Sequence, residues 1–333
     1  MKLRKRQILL PVFIVLVLCG TVSFFVCYQV VQAEAYARYL GIKNVSSEKI
    51  SKLVHGVEMN AKNIFDDVAD SHETPDEVIG ALRGKVNLNL DVRGYFAAFE
   101  PNYFPEKGTW FEPYVFQPET GGFDYRQVGS ARHNYHKSPW YVRAKQTARS
   151  FWSDPYYYYD GTSMSGHYCT FVKPIFDEQG KLVCVCGADI KFEWLARELQ
   201  WVDDVSKESR LLNKYHFGSN YHFYTVVFSS DGTCVSHPEG KTVTITDPEV
   251  LKDLATQKHG TTLMLIDGSP CQIYYGPVEN IDWMVAIVVP ESDILQPLLP
   301  IAGVMLGLTA IGLFIVWLVC RRLERKTKYE DIN

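Results

Sequence analysis

The chain has 333 residues, with 34 Lys and Arg against 38 Asp and Glu and a formal charge of −4. A hydrophobic share of 47% with 22% charged residues excludes a disordered chain. The slightly acidic balance argues against a nucleic-acid partner, which would need a basic surface.

Residues 8–31 carry no charge and are preceded by Lys2, Arg4, Lys5 and Arg6. At about 1.5 Å per residue this run crosses a hydrocarbon core of roughly 30 Å. A cleavable signal peptide also opens on basic residues, but its apolar run is about 7–15 residues. Only Ala33-Glu34-Ala35 offers a weak cleavage site, so a retained membrane helix is predicted.

Beyond it, Ile50, Val54, Val57, Ala61, Ile64, Phe65 and Val68 recur at three- and four-residue spacing. That period predicts a long amphipathic helix over 32–72, with Gly41 as the point where an interruption would fall. Its apolar stripe must pack on a sheet or on a second copy of itself, which permits a homodimer. Thr74-Pro75-Asp76-Glu77 has the form of a helix start, with Thr as cap and Glu closing a capping box.

Strands are predicted at 95–99 and 114–116, and a loop over 119–134. His133 and His136 form an H-x-x-H pair with no third ligand spaced nearby, so two surface histidines are expected and no metal. A short helix over 140–150 leads to an aromatic loop, Trp152-Ser153-Asp154-Pro155-Tyr156-Tyr157-Tyr158-Tyr159-Asp160-Gly161. A hairpin over 167–176 and 181–190 follows, turning at Asp177-Glu178-Gln179-Gly180. Asp189 falls in an apolar strand, where a carboxylate must be paired, hydrated or used. A helix is predicted over 191–201.

A second set of elements opens near Tyr221. Strands are predicted at 224–228, 234–236, 260–266, 272–276 and 283–289, with a helix over 248–257. Helix followed by sheet in both halves is a weak internal repeat. A helix starting at Pro290 leads into residues 298–320, a second uncharged run, followed by Arg321, Arg322, Arg325, Lys326 and Lys328.

Basic flanks at both ends place both termini in the cytoplasm of a two-pass cell-membrane protein, with 32–297 outside. Setting aside the nine basic and three acidic residues of the tails leaves 25 basic against 35 acidic residues for the outer part. Its length suits two domains. The expected boundaries are 1–7, 8–31, 32–297, 298–320 and 321–333. Within the outer part, the long helix takes 32–72, a membrane-distal module 73–200 and a membrane-proximal module 201–297. A 13-residue tail cannot fold alone, so a separate cytoplasmic partner or a continuation of the chain is expected to carry the output.

Eight cysteines are present. The five outside the membrane runs are odd in number and sit in strand-like stretches, so buried thiols are expected, with Cys234 and Cys271 as the pair to test for a disulfide. Cys184 and Cys186 share a strand face by alternation, which predicts packing and not a metal site. Gly161-Thr162-Ser163-Met164-Ser165-Gly166 misses the G-x-S-x-G spacing, and no zinc-protease or phosphate-loop motif occurs. No catalysis and no cofactor are expected.

Several motifs together resemble the double Cache family of extracellular sensor domains. They are Pro139-Trp140-Tyr141, Trp152-Ser153-Asp154-Pro155-Tyr156, the hairpin over 172–183, Gly187-Ala188-Asp189-Ile190, Tyr274-Tyr275-Gly276-Pro277-Val278 and Asp282-Trp283. The resemblance implies an α+β fold: two PAS-like modules with antiparallel sheets on one long N-terminal helix, between two transmembrane helices. It implies a sensor that binds a small ligand in the membrane-distal module, signals through the second transmembrane helix, and forms a homodimer through the long helix. It also implies ligand contact at Trp140, Tyr141, Tyr156 and Asp189. Alternation adds Tyr158, and Asp160 is the nearest carboxylate to the family's expected Asp, whose position holds Tyr158. Trp152 and Trp194 are expected to fill the core. The family's amino-acid pattern has Arg where this chain has Ser138, and Tyr where it has His133. Aromatic walls and carboxylates without that arginine suit an amine or another organic cation. The alternative is a non-catalytic membrane subunit with a degenerate pocket, partnering a separate signalling protein.

Overall fold

The computed structural model describes residues 5–84, 91–118, 122–153, 155–159, 165–208, 221–229, 231–241 and 244–330. Helix α1 (Lys5–Asp70) carries the first apolar run and the amphipathic stretch as one rod. It is unbroken at Gly41, so the interruption expected there is absent: one glycine weakens a helix by about 1 kcal/mol without stopping it. Its predicted stripe, from Ile50 to Val68, is buried along its length. Helix α2 (Pro75–Gly84) starts on the predicted capping box. The Glu77 amide donates to Thr74 Oγ1 at 3.3 Å, and the Thr74 amide donates to the Glu77 carboxylate at 3.2 Å.

The first sheet contains β1 (Gly94–Phe99), β2 (Pro113–Phe116), β3 (Asp124–Gln127), β4 (Phe151–Trp152), β5 (Tyr156–Tyr158), β6 (Gly166–Phe176) and β7 (Leu182–Lys191). Its order is β3-β2-β1-β7-β6, with β4 and β5 both paired to β6. Strands β3, β4 and β5 correct the loops expected over 119–134 and 152–161. They are two to four residues long and two-sided in polarity, so they carry no period of their own and form by pairing with a neighbour. Both faces of β1 are buried. Tyr95, Ala97 and Phe99 meet α1, whereas Phe96 and Ala98 meet α3 (Pro139–Thr147) and the segment before it.

Helix α4 (Phe192–Glu208) runs across the expected module boundary at 200–201. Its buried Asp203 accepts from the Thr225 amide at 2.7 Å and from Thr225 Oγ1 at 2.5 Å. This fixes α4 to β8 (Tyr224–Ser229), the first strand of the second sheet. That sheet adds β9 (Cys234–Ser236), β10 (Gly260–Ile266), β11 (Ser269–Pro277) and β12 (Trp283–Pro290), in the order β10-β11-β12-β8-β9. Matching β1 with β8, β2 with β9, β5 with β10, β6 with β11 and β7 with β12 gives both sheets the same strand order. The repeat that was faint in sequence is explicit in topology.

One face of the second sheet packs on Ala35, Tyr39 and Ile42 of α1. The other packs on α5 (Pro248–Ala255). Cys234 and Cys271 are buried thiols in that second core, and Cys184 and Cys186 point together into the first. After β12 come α6 (Glu291–Leu295) and α7 (Leu298–Glu330). The continuous helix expected here is interrupted at Gln296-Pro297, because Pro297 has no amide to donate. Helices α1 and α7 each contain a stretch long and apolar enough to cross a membrane.

Candidate ligand-binding site

Asp189, Thr170 and Gly94 are cross-strand partners and share one face of the first sheet. That face is roofed by α3, and a cavity of about 40 Å³ lies between. Asp189 is buried on its floor. Its Oδ1 accepts from Thr170 Oγ1 at 2.5 Å and from the Tyr156 hydroxyl at 3.3 Å. Burial pushes the Asp189 carboxyl up to about 6, against the opposing pull of these hydroxyls and that of Tyr114. Gly94 permits this arrangement, since a Cβ there would stand 2.6 Å from the Tyr114 ring. Gly187 does the same for Phe96, whose ring fills the place of its missing side chain.

Glu112 is a second carboxylate in the same cavity, 3% exposed. Its Oε2 stands 3.5 Å from His133 Nε2 and makes no hydrogen bond among the described residues. Burial, and then the neighbouring Asp189, push the Glu112 carboxyl well above its ordinary range. Burial also lowers the His133 imidazole, which favours its neutral form. Aromatic rings complete the walls: Phe96, Tyr114, Trp140, Tyr156, Tyr158 and Tyr168. Among the described residues no Lys or Arg lines the cavity. Two carboxyl groups whose ionisation is disfavoured by desolvation, ringed by π-faces, form a site whose ionisation a cation would complete.

The cavity opens toward a larger cleft of about 500 Å³. His133, Trp140, Tyr156 and Tyr158 line both. Pro139, Phe151, Pro155 and Arg143 belong to the cleft, where the Arg143 guanidinium lies 4.2 Å over the Phe151 ring.

The structure therefore brings Trp140, Tyr156, Tyr158 and Asp189 together. Tyr156 and Tyr158 face the same side because they pair with Tyr168 and Gly166, while Tyr157 between them is exposed. Tyr141 stands apart. Adjacent residues on a helix diverge by about 100°, and the Tyr141 hydroxyl donates to Glu100 Oε1 at 2.7 Å, outside the cavity. Asp160 lies outside the described residues. His133 and His136 are not the two surface histidines expected. His133 is edge-on to Tyr158, and the His136 ring lies 3.2 Å from the Phe99 carbonyl and packs on Tyr135. Both are drawn in because the segment before α3 folds over the sheet. Glu112 was missed, yet a carboxylate between Phe111 and the apolar β2 carries the same signal as Asp189.

From this floor a short path leads outward. The Thr170 amide donates to Ser153 Oγ at 3.0 Å, and the neighbouring Trp152 indole donates to Glu58 Oε1 on α1 at 2.8 Å. The Trp152 ring also meets Trp283, the first residue of β12, at 5.8 Å between centroids.

The fold is similar to that of extracellular sensor modules. Residues 79–197 match the family model described as methyl-accepting chemotaxis protein-like, first PDC sensor domain. No curated protein matches the chain. Among solved structures it is similar to the periplasmic sensory domain of the Campylobacter jejuni chemoreceptor Tlp1 (16% identity, TM-score 0.64), covering 80% of this chain and 99% of that one. It is also similar to the extracellular domain of a protein described as a histidine kinase, soHK1S-Z6 (19%, 0.62, 81% and 98%). A third is the ligand-binding domain of the Pseudomonas fluorescens chemoreceptor CtaA in complex with L-isoleucine (16%, 0.54, 79% and 96%). These likenesses establish the fold. Residues 79–197 are thus similar to a PDC sensor domain, and the fold as a whole is that of the sensor domains of chemoreceptors and histidine kinases, set between two apolar helices.

Proposed function

We propose that the chain is a non-catalytic membrane receptor for a small organic amine, bound in the distal module. The observation that carries this reading is the pair of buried carboxylates, Asp189 and Glu112, in an aromatic cavity that, among the described residues, no Lys or Arg lines. The cavity takes little more than a cationic head group, and the adjoining cleft has room for an attached tail. Both termini are cytoplasmic, residues 32–297 face outward, and two copies pair along α1. Occupancy at Asp189 moves the Ser153–Trp152 segment, and with it α1 and β12, which continues into α6 and α7. A cytoplasmic signalling partner reads the displacement.

A second reading takes the ligand as an amino acid, with its amine at Asp189 and its carboxylate on Arg143 in the cleft. Arg143 is the observation that favours it. A thermal-shift screen of the chain in lipid nanodiscs separates these readings. Primary amines at about 100 times their dissociation constant should stabilise it by roughly 2.7 kcal/mol. Stabilisation by amino acids but not by matched simple amines would support the second reading, and stabilisation by carboxylates alone would sink both.

A further inference from the structure

We propose that the β10–β11 hairpin is a membrane-contacting element, with Leu263 and Leu265 seated in the outer interface of the bilayer. The inference rests on the reading of α1 and α7 as membrane-spanning, and concerns a surface that the ligand site does not use.

Leu263 and Leu265 are 57% and 74% exposed. They are not scattered surface residues. Leu263 pairs with Gln272 and Leu265 with Pro270, while Gln272 pairs with Val289 and Tyr274 with Ile287. Direct cross-strand partners share a face. Tyr274, Ile287 and Val289 are covered by Ala35 and Tyr39 of α1 and by Ile294 of α6. The two leucines thus continue, uncovered, the apolar face that α1 buries.

Their height relative to the spanning helices follows from the register. Strand β11 climbs α1: Tyr274 lies against Tyr36 and Tyr39, and the Pro277 carbonyl accepts from Ser47 Oγ at 2.9 Å. Traced the other way, from Tyr274 to Ser269, the strand descends toward the membrane by about 17 Å, or about 12 Å if inclined by 45°. The apolar run of α1 ends at Val31, about 6 Å below Ala35. Leu298, where α7 begins, lies one turn beyond Ile294, again about 6 Å. The hairpin tip therefore reaches the level at which both helices enter hydrocarbon. At the tip, Asp267 pairs with Lys241 at 3.1 Å. An apolar face with a paired charge beside it suits the headgroup and acyl boundary, where interfacial segments bury about 5–10 Å deep.

The test uses the chain in nanodiscs of phosphatidylcholine and phosphatidylglycerol, spin-labelled at Leu265→Cys, with the wild type labelled alike as background. Phe25→Cys reports the spanning helix, and Val45→Cys, exposed on α1 above it, reports water. The ratio of oxygen to nickel-chelate accessibility at position 265 should lie several-fold above that at Val45 and approach that at Phe25. A water-like ratio at 265 beside a lipid-like ratio at Phe25 overturns the proposal alone. Water-like ratios at both positions overturn the spanning reading with it. Dipolar broadening between labels at 265 would show a second copy on this face and would also overturn it. A Leu265→Trp variant gives an independent reading, since brominated acyl chains should quench its added emission.

Discussion

The indole of Trp152 donates to the Glu58 carboxylate at 2.8 Å, across the contact between the first sheet and α1. The same ring touches Trp283 of β12. A single side chain thus meets the incoming helix and the strand that leads out to α6 and α7. Trp152→Phe should cost roughly 1–3 kcal/mol, the range for a hydrogen bond to a charged group plus lost packing. Urea unfolding would measure this. The variant should bind ligand within about threefold of wild type, because Trp152 is outside the cavity. Hydrogen exchange in α1 around Glu58 should respond to ligand in the wild type and lose that response in the variant. An unchanged response would remove Trp152 from the path.

Glu112→Gln should raise the stability of the ligand-free chain by about 1 kcal/mol or more. It replaces a buried carboxylate whose Oε2 has no hydrogen-bond partner among the described residues. The same change should weaken amine binding by about tenfold, through loss of one counter-charge. Thermal melts and titration with the amine on one preparation would check both signs together.

The pH dependence follows from Asp189. Its carboxyl in the fold is pushed up to about 6, above its ordinary value of 3.8. Between those values the native state keeps a proton that the unfolded chain has released. Stability relative to an Asp189→Asn variant should therefore fall as pH rises from about 4 to about 6, by about 3 kcal/mol in all. A cationic ligand binds the ionised form, so its affinity should rise over the same window, by up to about tenfold per unit below pH 6. Unfolding and binding measured at four pH values would show the two trends with opposite sign.

Gly187→Ala should close the cavity without touching a polar group. A Cβ at this position would collide with the Phe96 ring and come within 2.8 Å of Thr170 Cγ2. The ring has the cavity as its free space. Loss of binding with a stability cost of about 1–3 kcal/mol is expected from overpacking. Retained binding would show that the ligand does not use this space.

Much of the fold was legible because its signals are periodic. The stripe on α1 has a helical period, and the Thr74 capping box and the Asp177–Gly180 turn use residues with one dominant local geometry. The short strands β3, β4 and β5 were not legible, since pairing with a neighbour creates them. Asp189 was readable as a charge inside an apolar strand. Glu112 carried the same signal and was missed, whereas His133 was harder, because its burial comes from the way the segment before α3 crosses over the sheet. Tyr141 shows the limit of motif reasoning: it adjoins Trp140 in sequence and packs against it, but its hydroxyl reaches Glu100, outside the cavity.

On the proposed reading the Asp189–Glu112 cavity takes a cation. Calorimetric titration of the wild-type and Asp189→Asn chains in nanodiscs with a primary amine and a matched carboxylate tests it most directly. Heat is expected from the amine alone, with binding weakened at least about thirtyfold, or about 2 kcal/mol, in Asp189→Asn. Binding of the carboxylate, or amine binding of equal strength in both chains, would contradict it.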